Sequence, residues 1–171
     1  LTRLGDWGFV PVQAPTSALV LAVDPSGIGP THIEIVSVSA TSLSDWQHVS
    51  ALGWGHSTPS SRRAADAYAR AAYVLDGEGM VIAVDAQDGR PLGCASLTVR
   101  EGVATLGGMS TIPAERGRGA QSALIHHRIA MARGHGCHLI TASAVAGSGS
   151  ERNLIRHGFR LSHVKVLHVA Y

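Results

Sequence analysis

Three features of the sequence predict an α+β fold. Three strand-like runs, Met80 to Asp85, Leu92 to Arg100 and Val103 to Ile112, are separated by the turn sequences Gln87-Asp88-Gly89 and Glu101-Gly102. That pattern reads as an antiparallel meander. Helix-like stretches lie before the meander, and a longer one, Ala120 to Arg133, lies after it. The passage from the last strand to that helix is a short turn rich in glycine and arginine, Pro113-Ala-Glu-Arg116-Gly117-Arg118-Gly119-Ala120-Gln121.

The remaining elements follow from local patterning. His32 to Ala40 is β-branched and apolar and predicts a strand. Ser42, with Asp45 three residues on, predicts an acidic helix cap and a helix to about Trp54. A second helix is expected from Ser60 to about Tyr73, with Ala64, Ala67, Ala71 and Val74 at helical spacing. Gly134 and Gly136 end the long helix. A strand from His138 to Ser143, a short helix from Ser150 to His157 and a closing strand from Phe159 to Ala170 complete the chain.

The two ends resemble each other. Leu4-x-x-x-Gly8-Phe9 and Leu154-x-x-x-Gly158-Phe159 are each followed by an apolar, strand-like run. The expectation is that residues 1–24 are the last helical turn and strand of a preceding, degenerate copy of the same module. Residues 25–31, within Asp24-Pro-Ser-Gly-Ile-Gly-Pro-Thr31, then form a linker by their turn chemistry, and residues 32–171 form the main domain.

Composition narrows the functional classes. A chain of 171 residues, 45% hydrophobic and 15% charged, can bury a core and is not a disordered type. A formal charge of +2 gives no electrostatic case for nucleic acid or an anionic membrane as partner. No apolar run spans a bilayer, and no secretory pattern opens the sequence. Two cysteines, Cys94 and Cys137, are too few for a disulfide framework, so a reducing cytoplasm is the expected compartment.

The Gly/Arg turn carries the chemistry. Glycines expose backbone N–H groups at the positive end of a helix dipole, which suits a phosphate or pyrophosphate, and Arg116 and Arg118 add positive charge. An arginine-rich surface turn that binds nothing is the competing reading. Upstream, Gly107-Gly108 either forms a bulge that opens a strand edge or relieves crowding within a strand.

This segment resembles the acetyl-CoA-binding motif of the GCN5-related N-acetyltransferase (GNAT) superfamily, Val-x-Pro-x-x-(Arg/Gln)-x-x-Gly-x-(Gly/Ala). Thr111, Pro113, Arg116 and Gly119 occupy matching positions, whereas Gln121 stands where the family has Gly or Ala. Ser150-Glu-Arg-Asn153-Leu154-Ile-Arg-His-Gly158-Phe159 resembles the family's late helix and closing Gly-Phe, so the likeness covers roughly residues 32 to 171. It implies a mixed, mostly antiparallel central sheet flanked by helices, with acetyl-CoA as acetyl donor and direct transfer to a primary amine in a ternary complex. Amides of Gly117, Arg118, Gly119, Ala120 and Gln121 would hold the pyrophosphate, with Arg116 and Arg118 beside it. Backbone groups of Met109 and Thr111 would pair with the pantetheine arm as a foreign strand does. The Met109 N–H would polarise the thioester carbonyl, so Met109→Leu should change little.

The proton chemistry is less determined. Neutralising a lysine-type amine at pH 7 costs roughly 4 to 5 kcal/mol, and a low-pKa amine only about 1 kcal/mol. Thr105 stands where some relatives carry a glutamate base; Glu101, Asp85, Asp66 and His56 are possible bases, but each reads first as an ordinary surface or turn residue, and none is assigned the role. Many relatives protonate the leaving thiolate with a tyrosine at the position of Leu154. Those of the ribosomal-protein type have leucine there and a serine at the position of Ser150, making Ser150 the candidate proton donor. Its other reading is a helix N-cap. Asn153 would bond the pantetheine or satisfy local backbone.

Ten histidines raise a metal hypothesis, but His126-His127 and Cys137-His138 are adjacent pairs whose side chains diverge, so no metal site is expected. His127 falls on a stripe with Ala120, Leu124 and Met131 and is expected in the core. Trp46, Trp54 and Tyr68 are expected as core or lid packing. A small-molecule or protein amine is the expected acceptor, and a homodimer or tandem arrangement stays open. The alternative to an enzyme is a non-catalytic CoA-binding domain, or a structural domain that serves as a dimer interface.

Overall fold

The computed structural model describes residues 2–22 and 32–170. The predicted linker, 25–31, lies outside the described residues, as do residues 23 and 24. In chain order the N-terminal segment forms α1 (Thr2–Asp6), β1 (Phe9–Pro11) and β2 (Thr16–Ala22). Next come β3 (Ile33–Ser37), α2 (Leu43–Trp54), α3 (Pro59–Asp76), β4 (Val81–Asp85), β5 (Pro91–Arg100) and β6 (Val103–Thr111). The chain continues through α4 (Ala120–Gly134), β7 (Leu139–Val145), α5 (Gly149–Arg156), β8 (Arg160–Lys165) and β9 (His168–Ala170).

Two compact units result, one of residues 22–140 and one of residues 1–21 with 141–171. In the larger unit β3, β4, β5 and β6 are neighbours in that order, and every pairing is antiparallel. The predicted meander is therefore present, with strand ends within one or two residues of those expected. Its hairpin at Glu101-Gly102 places both residues at positive φ, 49° and 75°. That is the backbone a two-residue primed turn requires.

Alternation along β4 divides the core of this unit. Val81 and Ala83 face one way and pack with Leu92, Ala95, Ala120, Ala123 and Leu124 under α4. Met80 and Ile82 face the other way and pack with Trp46, Val49 and Ala69 of α2 and α3. Burying such side chains contributes about 1.5 to 3 kcal/mol each. Trp46 is 1% exposed, and its indole N–H donates to the Ala95 carbonyl at 3.1 Å, satisfying the ring's one polar atom. Helix α3 starts at Pro59 behind Thr58, whose hydroxyl accepts from Ser61 N at 3.2 Å.

Several local expectations are corrected. Ser42 stands at the start of α2 but does not cap it, because its hydroxyl accepts from Ser39 N instead. Ala64, Ala67, Ala71 and Val74 lie on the exposed side of α3, and the fully buried position is Ala69. Trp46 is core as expected, whereas Trp54 and Tyr68 are exposed. The single closing strand expected from Phe159 to Ala170 is two strands, β8 and β9.

In the smaller unit β7, β2 and β8 are neighbours in that order, and β1 pairs with β9. The pairings β2–β8 and β1–β9 are antiparallel. Leu19 of β2 and Phe159 are buried, while all six residues of β8 are exposed. The α+β class with a mostly antiparallel sheet flanked by helices is thus the observed one. Among the described residues no helix is long and apolar enough to cross a membrane.

Candidate functional site: a bulged strand and a glycine-arginine loop

Strand β6 carries a bulge. Cys94 pairs with Ser110 and Ser96 with Gly107, so Gly108 and Met109 together oppose Ala95. Gly108 has φ 54°, and a Cβ there would lie 2.9 Å from Ser96 Oγ and 3.2 Å from the Trp46 ring. Glycine is required both by the backbone angle and by the space. The bulge expected at Gly107-Gly108 is present, and so is the crowding that the other reading names.

Beneath the bulge lies Arg128 of α4, fully buried. Its Nη1 donates to the Ser96 carbonyl at 3.1 Å and to the Gly107 carbonyl at 3.2 Å. Nε donates to the Leu124 carbonyl at 3.0 Å, and Nη2 meets Met109 Sδ at 2.9 Å. No carboxylate among the described residues pairs with it. Burial pushes the guanidinium down to about 9, so it remains a cation at neutral pH. The carbonyls of the Ser96–Gly107 pair at one end of the bulge are therefore bonded by one charged side chain. The Met109 thioether is part of the same arrangement.

Sequence reasoning missed Arg128. The available signal was its position: Ala120, Leu124, Arg128 and Ala132 recur every four residues, placing a charge on the buried stripe of α4. His127, expected in the core, is only half-buried, and burial followed by the Arg128 charge holds its imidazole below the usual histidine range. Cys94 sits against the bulge, its Sγ 3.5 Å from Ser110 Oγ, and burial pushes the thiol up to about 11. It is a packed thiol without nucleophilic character at neutral pH.

After β6, Pro113–Glu115 forms one short 3-10 turn and Arg116 is extended. Gly117 and Gly119 then take φ 81° and 89°, and Gly119 stands at the N-cap of α4. The first bond of the α4 ladder runs from Ala123 N to the Gly119 carbonyl at 3.0 Å. Helix geometry directs the amides of the preceding turn out of this end, where the dipole is positive. A Cβ on Gly117 would meet nothing within 4 Å, so its surroundings are open and the positive φ is what demands glycine.

The two arginines of the loop differ. Arg116 is exposed, and its guanidinium has no partner among the described residues. Arg118 is engaged by acids: Nη1 donates to Glu115 Oε2 at 3.0 Å and Nη2 to Asp85 Oδ2 at 2.5 Å. Arg90 Nη1 donates to the other Glu115 oxygen at 2.8 Å and Nη2 lies 3.8 Å from Asp85. Both carboxylates are buried. The cluster of two arginines and two acids fastens the loop to the end of β4. The Gln87 amide, then Arg118 and Arg90, hold the Asp85 carboxyl below the usual range against the opposing effect of burial. An acid so held is ionised and is a weaker base than an ordinary aspartate.

The other candidate bases are unremarkably placed. Glu101 occupies the β5–β6 turn, Asp66 accepts from Gln47 through its carbonyl at 3.2 Å, and the His56 carbonyl accepts from Arg62 at 3.0 Å. Thus Met109, Thr111 and residues 116–121 belong to one unit and one strand–loop–helix passage. Ser150 and Asn153 belong to the other unit, on α5. Ser148, not Ser150, caps that helix, accepting from Glu151 N at 3.2 Å. This removes the capping alternative for Ser150, which is half-buried in the first turn. Asn153 is buried and its Oδ1 accepts from Arg156 at 2.8 Å. Leu154 is 1% exposed. Among the described residues no group of three or more His, Cys, Asp or Glu could hold a metal.

The comparisons with known proteins bear on the same segment. The family model described as the Acetyltransferase (GNAT) family matches residues 42–159, which include the bulge, the loop and α5. No curated protein matches the sequence. Among solved structures, a GCN5-related N-acetyltransferase from Sphaerobacter thermophilus is similar at 21% identity over 98% of this chain and 54% of its own, with TM-score 0.79. An acetyltransferase from the GNAT family of Colwellia psychrerythraea is similar at 13% identity over 94% of this chain and 56% of its own, with TM-score 0.71. A tandem GNAT protein from the clavulanic acid biosynthesis pathway matches at 16% identity, over 98% of this chain and 56% of its own, with TM-score 0.67. At these identities the likeness is one of fold, and the chain spans a little over half of each of these proteins. By its match to the family model over residues 42–159, more than half of its length, the chain belongs to the acetyltransferase (GNAT) family.

Proposed function

We propose that the chain is an acetyl-CoA-dependent N-acetyltransferase that moves the acetyl group directly to a primary amine. The observation that carries this reading is the pair of left-handed glycines, Gly117 and Gly119, at the N-terminus of α4 directly after the bulged strand. Amides of residues 117–121 hold the pyrophosphate. Arg116, whose guanidinium is uncommitted, supplies the mobile charge. Arg118 acts through the shape of the loop, because its guanidinium is taken up by Asp85 and Glu115.

Backbone groups of Met109 and Thr111 take the pantetheine amides, and the Met109 N–H faces the thioester oxygen as negative charge grows there. Arg128 positions that N–H by fixing the bulge carbonyls. The neutral amine nitrogen attacks the acyl carbon, the C–S bond breaks, and the departing thiolate takes a proton from Ser150, the candidate donor, whose hydroxyl is restored by the proton that the amine nitrogen loses. Asn153, buried on the same helix, is the candidate pantetheine contact.

A second reading, cofactor binding without catalysis, is favoured by one observation: Leu154 fills the tyrosine position and is buried. Turnover separates the two. Thiol release from acetyl-CoA, measured across a panel of small-molecule and peptide amines, should reveal an accepted amine. Ser150→Ala should then lower kcat at least tenfold with KM for acetyl-CoA little changed. Tight cofactor binding with no release on any amine would favour the second reading.

A further inference from the structure

The two Gly-Phe segments of the sequence are repeated in three dimensions. Leu4 and Leu154, Gly8 and Gly158, and Phe9 and Phe159 are each 150 positions apart. Each segment ends a helix with the same two hydrogen bonds: Trp7 N to Leu4 O (3.2 Å) and Gly8 N to Gly5 O (3.0 Å), then His157 N to Leu154 O (3.0 Å) and Gly158 N to Ile155 O (3.0 Å). Gly8 and Gly158 take φ 78° and 88°. Each is then followed by two strands, β1 and β2 in the first case and β8 and β9 in the second. The unit formed by residues 1–21 and 141–171 thus contains one helix–Gly-Phe–strand–strand pattern twice.

The strands of the two copies do not form separate hairpins. β1, the first strand of one copy, pairs with β9, the second strand of the other. β8 pairs with β2 in the same crossed manner. The registers correspond under the 150-residue offset to within one residue beside Gly-Phe: Phe9 opposes Ala170, and Arg160 opposes Val20. The result is reciprocal. β2 lies between β7 and β8, with Leu19 fully buried, so the N-terminal copy supplies an interior strand of this unit. A chance docking of an unrelated segment would not reproduce the partner's caps, glycine angle and register.

We propose that residues 2–22 are the terminal strand pair of a preceding module of the same fold, and that the two modules exchange their last strands reciprocally. The partner this surface fits is that upstream module. Its body would also cover the apolar side chains left exposed on this unit, including Trp7 at 71%, Leu161 at 53% and Leu167 at 52%.

Two engineered changes in the full natural chain test the exchange. A protease site placed between Asp24 and Thr31 allows the connection to be cut under native conditions. The two sides of the cut should co-elute on size exclusion and separate only in denaturant, and Leu19→Asp in the cut chain should release them. Separation without denaturant, with the downstream piece keeping its melting temperature, would overturn the proposal. Cysteines at Val10 and Val169 supply an independent readout that does not depend on how the cut protein behaves. A disulfide within one chain is expected; a bond only between two chains, or none, would overturn it. The natural gene product should also carry a strand, Arg/Gly turn and helix upstream of Leu1, and a product with no acetyltransferase-like region there would refute the preceding module.

Discussion

The bulge of β6 and the loop before α4 are both shaped by glycines at positive φ, yet they are held in opposite ways. The bulge is held from inside by Arg128, a buried cation whose partners are carbonyls and a thioether. The loop is held at the surface by Arg118 and Arg90, each facing buried carboxylates. A buried charge bonded to dipoles is costly to place and more costly to replace, since the dipoles lose their donor. A partly exposed cluster of balanced charge is screened by solvent and responds to pH instead. The bulge should therefore be the rigid part of the site and the loop the adjustable part.

The largest expected effect falls on the bulge. Arg128→Met leaves the Ser96 and Gly107 carbonyls buried without that donor, and should destabilise the chain by about 2 to 4 kcal/mol in urea unfolding. Turnover should fall more than acetyl-CoA affinity if the bulge positions the Met109 N–H. Equal losses would mean the residue serves folding alone.

A smaller effect is expected at the loop. Asp85→Asn should weaken acetyl-CoA binding several-fold, because Arg118 loses one anchor while Glu115 keeps the other. The sign of the pH dependence follows from the lowered Asp85 pKa. Its stabilising contribution is complete above the ordinary aspartate value of 3.8 and is lost as pH falls through the lower folded value. Acid unfolding of the parent should thus steepen below about pH 4, and Asp85→Asn should remove that part of the slope. An unchanged acid limb in the variant would mean the cluster does not hold the loop.

The smallest effect should come from Met109→Leu. The backbone N–H is retained and one contact of Arg128 is lost, so stability should fall by about 1 kcal/mol or less. Turnover should change less than threefold. A large fall in turnover would show that the sulfur itself matters to the bulge.

How much of this was legible beforehand depends on the range of the interactions. Turns and their glycines are local, so the meander, the Glu101-Gly102 hairpin and the Gly/Arg loop could be placed from neighbouring residues alone. The buried face of α3 could not. An alanine-rich helix offers little contrast between its sides, and Ala69 rather than Ala67 is buried because of where α2 and the sheet lie. Ser148 and Ser150 are equally good caps by type, and only the backbone angle at the helix start selects Ser148. Arg118 reads as a ligand-binding arginine until Asp85, 33 residues away, is seen beside it. Arg128 belongs to the same class, since its partners lie 19 to 32 residues distant apart from one carbonyl in its own helix. The motif marks the candidate site; the contacts that hold its shape are long-range.

The proposed function rests on the amides around Gly117 and Gly119 binding the pyrophosphate of acetyl-CoA. Calorimetric titration of acetyl-CoA into the parent chain and into Gly119→Glu tests it most directly. A Cβ at Gly119 meets only Ile33 Cδ1, at 3.6 Å, so the variant adds strain at φ 89° and a negative charge without a steric clash. Micromolar binding by the parent and at least a hundredfold loss in Gly119→Glu are expected, with the variant's circular dichroism unchanged. Equal binding by both proteins would contradict the assignment of the loop, and binding by neither would contradict the claim that this chain holds the cofactor.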